Sequence, residues 1–344
     1  MIYRAGIVGC GRIGCGFDDD PRRGSVSTHA GAYQRTSGVE LVALCDLDRE
    51  KLERYGGKFQ VAHRYTSLET MLDEACLDIL SVCTWSSTHL EIVRRAVEHG
   101  VKAIFCEKPM ADSLMAAEEM IRVCGDHNAV LMVDHQRRFD PFHQQIASLI
   151  RGGGLGRIQQ VTCYYTAGTA NTGSHLFDLL RMYLGDAVWV QGRSSRNASA
   201  HPADPNLDGW IGFADGSVAA VQACDVEAYL IFEIALLGTR GRLRVTSSGL
   251  TAEFEEARES ERFAGYRELR PVPLPVNSGG NREVMLLGVA HILECLRTGA
   301  RPISTGEDGR AALEIVCGLQ QSARDEGSVV QFPLVERYLT VESR

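Results

Sequence analysis

Gly6-Ile7-Val8-Gly9-Cys10-Gly11-Arg12-Ile13-Gly14 is the stretch whose reading decides the fold. An apolar strand begins at Ile2 and runs into glycines at 9, 11 and 14, the spacing G-x-G-x-x-G. The first glycine permits a tight turn and the second lets the backbone approach a pyrophosphate. The third lets the next helix pack against the strand with its N–H groups aimed at the anion. Glycine-rich turns are common, so context carries the meaning: this one directly follows a strand, where a dinucleotide site needs it. Gly9, Gly11, Arg12, Ile13 and Gly14 are therefore the candidate diphosphate contacts.

Outward from this turn, Cys15–Gly24 is polar, glycine- and proline-bearing and non-periodic, so it reads as an inserted loop. Its Arg22 or Arg23 is a candidate contact for an anionic or polyhydroxyl substrate. Helical pattern resumes near Thr28, with Ser27 or Thr28 as N-cap. The strand Glu40–Asp46 follows. An acid about 20 residues past the last glycine would hydrogen-bond the adenine ribose. The insertion accounts for the longer gap here, so Asp46 is the expected ribose acid. A carboxylate there repels a 2′-phosphate, which favours NAD over NADP, although Arg49 weakens the preference.

Strands at Leu77–Thr84, Lys102–Cys106 and Val130–Val133 alternate with helices at Leu68–Ala75, about Glu91–Glu98, and one capped by Asp112 or Ser113. This alternation predicts an α/β fold, a doubly wound parallel sheet of the Rossmann type. Ligands in such sheets bind outside the carboxyl ends of the strands. Gly9–Gly14, Asp46, Thr84 through His89 and Glu107-Lys108-Pro109 all fall there. From Arg157 the pattern turns to β, with strands expected at 158–166, 188–196, 209–213, 218–226, 229–237, 242–246 and 251–256. These predict a C-terminal α+β domain with a large, mainly antiparallel open sheet. Tyr229–Leu237 is apolar on both faces, which fits two-sided burial, and Pro271–Pro275 reads as a stiff connector. The expected domains are 1–127, binding dinucleotide, and 128–344, binding substrate and mediating oligomerisation. Helices near Arg282–Arg297 and Gly309–Glu326 are expected to pack back on the first domain.

The chain has 344 residues, 44% hydrophobic and 23% charged, with net charge −8. That balance argues against a general nucleic-acid or anionic-membrane binder. No apolar run reaches transmembrane length, and with the first strand beginning at residue 2 no signal peptide is expected. The eleven cysteines contain no Cys-x-x-Cys, so reduced thiols in a cytoplasm are expected, with no metal site.

Gly9-x-Gly11-x-x-Gly14, Asp46, Thr84 through His89, Glu107-Lys108-Pro109, Arg138-Phe139-x-Pro141, Gly173-x-His175-x-x-Asp178 and Gly306-Glu307-Asp308-Gly309 together resemble the glucose–fructose oxidoreductase / inositol dehydrogenase (Gfo/Idh/MocA) family of NAD(P)-dependent oxidoreductases. The resemblance covers nearly the whole chain. It implies that Lys108 touches the reacting hydroxyl and the nicotinamide ribose, and that the Lys108–Pro109 bond is cis. Thr84 and Glu107 are expected cofactor contacts, His89 a positioning group or cofactor contact, and Gln136, Arg137, Tyr165 and Asp178 are expected at the substrate. His175 is the expected base, since imidazole titrates near neutrality. Asn171, four residues earlier, stands where inositol dehydrogenase-like members carry Asp; it can orient a histidine but cannot stabilise an imidazolium. The base could therefore be His175 alone, His175 with Asp178, or Lys108. The implied activity is hydride transfer between a nicotinamide and a secondary alcohol of a sugar, sugar derivative or cyclitol. The alternatives are an NAD-dependent glycosidase working through transient oxidation, and a non-catalytic dinucleotide sensor. A homodimer or homotetramer through the C-terminal sheet is expected.

Overall fold

A computed structural model describes residues 2–277, 279–280 and 283–342. It resolves into two compact units, Met1–Phe139 with Arg282–Arg310, and Asp140–Asn281 with Ala311–Arg344. In chain order the elements are β1 Tyr3–Val8, α1 His29–Arg35, β2 Val39–Cys45, α2 Arg49–Lys58, β3 His63–Tyr65, α3 Leu68–Ala75, β4 Ile79–Val82, α4 Ser86–Glu98, β5 Ala103–Cys106, α5 Leu114–Asp126 and β6 Val130–Val133. Then come α6 Pro141–Arg151, β7 Ile158–Tyr165, α7 Ser174–Leu184, β8 Ala187–Ser194, β9 Leu207–Phe213, β10 Val218–Ala223, β11 Phe232–Gly238, β12 Gly241–Thr246, β13 Thr251–Glu259, β14 Arg267–Val272, α8 Val284–Thr298, α9 Gly306–Arg324 and β15 Val330–Gln331.

The first unit is built on a parallel sheet of order β3-β2-β1-β4-β5-β6. The order reverses between β1 and β4, which opens a crevice at the carboxyl ends of those strands. Every residue of β4 and β5 is buried, as strands covered on both faces must be. Helix starts are fixed by side-chain caps: Thr28 Oγ1 accepts the Gly31 N–H, Asp48 those of Glu50 and Lys51, and Ser113 that of Ala116. Of the paired alternatives read from sequence, Thr28 and Ser113 are thus the caps. Helix α4 starts at Ser86, earlier than expected, because its polar first turn carries no apolar periodicity. The expected boundary at 127/128 differs from the observed division after Phe139: β6 pairs with β5, and Met132 bridges Thr305. Arg282, the expected start of the next helix, lies outside the described residues. Helix α8 packs on α1, β5 and β6, and a Cβ added to Gly288 would lie 2.9 Å from the Phe105 ring.

The second unit carries nine strands in the order β14-β13-β12-β11-β7-β10-β9-β8-β15, antiparallel except where β10 runs parallel to β7. Burial alternates along β11 and β12, so one face lies on the core and the other is half covered. Three expectations are corrected here. The strand expected from Tyr229 begins at Phe232, Leu230 is 74% exposed, and Ala235 and Leu237 are only half-buried, so within the chain β11 is fully buried on one face alone. Pro271 stands inside β14, opposite Glu255. Because β14 is an edge strand, the missing N–H disrupts no ladder. From Ala311 onward α9 belongs to the second unit. Gly192 and Gly209 are paired neighbours in β8 and β9, and they make room for Leu319: a Cβ on Gly192 would meet its carbonyl at 2.8 Å. Among the described residues no helix is long and apolar enough to cross a membrane.

Candidate active site

The glycine turn leaves one side open. Gly9 holds φ +93°, and a Cβ there would sit 2.6 Å from the Cys83 carbonyl oxygen. A Cβ on Gly14 would sit 2.2 Å from the Gly9 oxygen, so both positions are closed by the protein's own backbone. A Cβ on Gly11 would meet nothing within 4 Å. The turn thus fits a dinucleotide: its two tight glycines bring strand and turn together, and its middle one faces free space where a diphosphate can approach. Beyond it Arg12–Gly16 forms one π-type turn rather than a long helix. Asp46 follows β2 directly. Its Oδ2 accepts the Cys10 N–H at 2.7 Å and its Oδ1 the Asp48 N–H at 2.9 Å, so the carboxylate is braced against the turn.

Thr84 follows β4, and its hydroxyl lies 2.7 Å from that of Thr88. His89 lies inside α4, and of its two expected readings its packing fits the positioning group. It is 1% exposed, and its ring nitrogens lie 3.1 Å from the Thr84 carbonyl and 3.2 Å from that of Met110. With both nitrogens engaged by backbone, it braces the chain leaving β4 to the chain leaving β5.

Glu107 and Lys108 follow β5, and the Lys108–Pro109 bond is cis, as the resemblance implies. Lys108 is half-buried. Glu107 corrects its reading as a cofactor contact, because its carboxyl points inward. Oε2 accepts the Lys108 N–H at 3.3 Å, and Oε1 lies 3.0 Å from His29 Nε2. His29 Nδ1 lies 2.9 Å from the Ser81 hydroxyl, which is 2.8 Å from the Tyr33 hydroxyl. The Asp134 carboxyl, following β6, lies buried within 4.8 Å of the Glu107 carboxyl and of the His29 ring. Burial drives His29 down to about 4, partly offset by Asp134. Burial raises Glu107, and burial together with the Glu107 charge raises Asp134 well above the usual carboxylate range. These shifts favour a neutral imidazole and disfavour negative charge on both carboxyls. Their ligand atoms lie within 4.8 Å of one another, a spacing at which a cation or a bound proton would relieve the repulsion of the two carboxyls. Gln136 Nε2 donates to Asp134 Oδ2 at 3.3 Å, and Arg137 is half-buried in the same 3₁₀ turn. Nothing in the spacing of the sequence joined His29 or Asp134 to Glu107; an acid directly after an apolar strand was the only signal.

In the second unit, Asn171 lies in a π-type turn, Thr169–Gly173, which runs into α7. Asn171 and His175 are thus four apart across the junction of a π-type turn and an α-helix, not within one helix. His175 is the second residue of α7, and Asp178 is buried on it. Asp204, buried and absent from the sequence reading, holds the turn: its carboxylate accepts the N–H groups of Ala170 and Asn171, each at 2.8 Å. Asn171 Nδ2 donates to the Ala167 carbonyl at 3.3 Å. Tyr165 corrects its reading as a substrate contact. It is fully buried, and its hydroxyl donates to the Leu207 carbonyl at 2.6 Å and lies 2.9 Å from Thr169 Oγ1. Lys108 stands in the first unit and His175 in the second.

A parallel sheet of this order with an open glycine turn and a braced acid defines an NAD-binding oxidoreductase domain. Comparison with known proteins gives the family. Residues 3–135 match the NAD-binding Rossmann model of the Gfo/Idh/MocA oxidoreductase family, and residues 168–332 match its C-terminal α/β model. The chain belongs to this family, and its cofactor is NAD. It is 28% identical to D-apiose dehydrogenase of Paraburkholderia graminis over 94% of this chain and 89% of that protein. It is 30% identical to inositol 2-dehydrogenase of Burkholderia ambifaria over 60% of this chain and 63% of that protein. In fold it is similar to the WlbA dehydrogenase of Bordetella pertussis solved with NADH and UDP-GlcNAcA (TM-score 0.78, 24% identity, 97% and 100% of the two chains). It is likewise similar to levoglucosan dehydrogenase solved with NADH and L-sorbose (TM-score 0.79, 19% identity, 97% and 100%).

Proposed function

We propose that this protein is an NAD-dependent dehydrogenase acting on a secondary alcohol of a sugar, sugar derivative or cyclitol. The observation that carries the reading is the set of groups at the carboxyl ends of one parallel sheet: the open Gly11, Asp46, Thr84 and Lys108 follow β1, β2, β4 and β5. In this reading Gly9, Gly11, Arg12, Ile13 and Gly14 hold the diphosphate and Asp46 the adenine ribose. Bound NAD supplies the hydride acceptor. The Lys108 ammonium hydrogen-bonds the reacting oxygen and stabilises negative charge developing on it. His175 accepts the hydroxyl proton, with its turn held by Asp204. Gln136, Arg137 and Asp178 orient the remaining hydroxyls. The second unit assembles a homodimer or homotetramer through the half-covered face of its sheet, in a reducing, cytoplasmic setting. Kinship with D-apiose and inositol 2-dehydrogenases supports the polyhydroxyl substrate class.

The test is a panel of sugars, sugar acids and cyclitols scored for NADH formation, with Lys108→Ala as control. Turnover on one class, lost in the control, supports the reading. Net glycoside cleavage without NADH would favour a glycosidase, and NAD binding with no turnover a sensor.

A further inference from the structure

The Cys15–Thr28 insertion does more than lengthen the path from the glycine turn to α1. Phe17 sits half-buried in its first bend, and two guanidinium groups lie against its ring. The Arg23 guanidinium carbon is 3.6 Å from the ring centroid, and that of Arg12 is 4.7 Å away. Arg12 is part of the glycine turn itself, adjacent to the open Gly11. Two like charges gathered on one aromatic ring repel one another unless an anion joins them. Burial, and then the Arg12 charge, disfavour the charged form of Arg23, yet a guanidinium keeps its proton.

The insertion holds three consecutive acids that could have neutralised the pair, and all three are committed elsewhere. Asp18 accepts the Ser27 N–H at 2.6 Å and the Thr28 hydroxyl at 2.5 Å. Asp19 binds Arg54, Tyr55 and Lys58. Asp20 accepts the Arg22 N–H at 3.0 Å. Among the described residues, neither Arg12 nor Arg23 has a carboxylate within ion-pair distance. The loop's acids thus make their hydrogen bonds within the fold; Asp20 and Asp18 act on Arg23 only through their charge, without an ion pair to its guanidinium.

We propose that Arg23 joins Arg12 as a guanidinium clamp on the diphosphate of bound NAD, with Phe17 as the platform that spaces the two side chains. A diphosphate carries two negative charges and presents oxygens on several sides, so glycine-turn N–H groups can serve one side and paired guanidiniums another. The inference rests on the dinucleotide role of the first unit and not on the choice of sugar. It also moves Arg23 from the substrate role read from sequence to a cofactor role, leaving Arg22 exposed at the loop surface.

The test is equilibrium binding of NADH, ADP and AMP to wild type, Arg23→Ala, Arg23→Lys and Phe17→Leu, with thermal midpoints as a folding control. Arg23→Ala is expected to weaken NADH and ADP about tenfold and AMP less than about twofold, a difference that shrinks in high salt. Arg23→Lys keeps the charge and falls between. If Arg23→Ala is unstable, Arg23→Gln replaces it. Unchanged NADH and ADP affinity would overturn the clamp, as would equal weakening of ADP and AMP. UDP binding to the NADH-saturated protein that is lost in Arg23→Ala, with NADH affinity intact, would move the clamp to a diphosphate-bearing substrate and overturn the cofactor assignment. Wild-type protein that bound neither NADH nor ADP would overturn the dinucleotide role itself.

Discussion

His29 Nε2 lies 3.0 Å from Glu107 Oε1, with both side chains buried beneath the residue that carries the candidate catalytic ammonium. Asp134 completes the group, and its carboxyl is raised above its ordinary value of 3.8 by burial first and by Glu107 next. A group whose folded pKa is raised contributes stability that is complete below its unfolded value and is lost as pH rises through the folded one. Asp134→Asn cannot lose it. The thermal midpoint of wild type should therefore fall relative to Asp134→Asn as pH rises from about 4 to 8. His29, whose lowered pKa costs stability as pH falls, loses the Asp134 offset in the variant; this costs the variant more at low pH and moves the difference in the same direction. A midpoint difference that stays flat with pH would show that Asp134 is not held protonated.

The glycine turn gives a paired test. Gly11→Ala adds a Cβ with no protein atom within 4 Å, so its thermal midpoint should match wild type while NADH affinity falls at least tenfold. Gly14→Ala adds one 2.2 Å from the Gly9 oxygen, so it should lose both stability and binding. Calorimetry and fluorescence titration separate the two. Gly11→Ala with full affinity would mean that the open side is not where the diphosphate lies.

Lys108 and His175 should differ in their kinetic signature. Lys108→Ala should lower kcat by about 10²- to 10³-fold with NADH affinity nearly unchanged, as expected for a lost donor to developing charge. His175→Asn should lower kcat/KM by about 10²- to 10⁴-fold and flatten the rate profile between about pH 5 and 8. A histidine variant that kept the wild-type profile would pass the base role to Lys108.

The half-covered face of the large sheet should form the oligomer. Its register lines up Trp210, Ala220, Thr162, Ala235, Arg244 and Glu253 across six strands, with Trp210 46% exposed. Arg244–Glu253 and Arg242–Glu255 pairs border it. Light scattering should give a multiple of 37.7 kDa for wild type and a lower multiple for Trp210→Asp. A wild-type protein that ran as a monomer would refute the interface.

The parallel sheet could be read directly from the sequence because its strands are apolar runs broken by glycine, acid or cap residues, as at Leu77–Thr84. β3 escaped because three residues carry no period, and β14 because its proline reads as a breaker away from an edge. The cofactor turn was legible because glycine spacing is a local code. Tyr165 and Glu107 turn inward, and His89 takes the positioning one of its two readings, for one shared reason: motif position gives a neighbourhood, but only packing tells whether a polar side chain faces a ligand or turns inward. His29, Asp134 and Asp204 act across long chain separations, which no spacing rule reaches.

Helix α8 has a consequence for the order in which the molecule can be made. A ribosome that has released residues through Phe139 has supplied all six parallel strands, yet Phe105 and Phe139 still await the helix that lies against them at Gly288. The nascent first half must therefore persist with an uncovered aromatic surface while the whole second sheet is translated. Chain-release fragments ending before Val284 should accordingly stick to one another or recruit a chaperone through this surface, and the full chain should not.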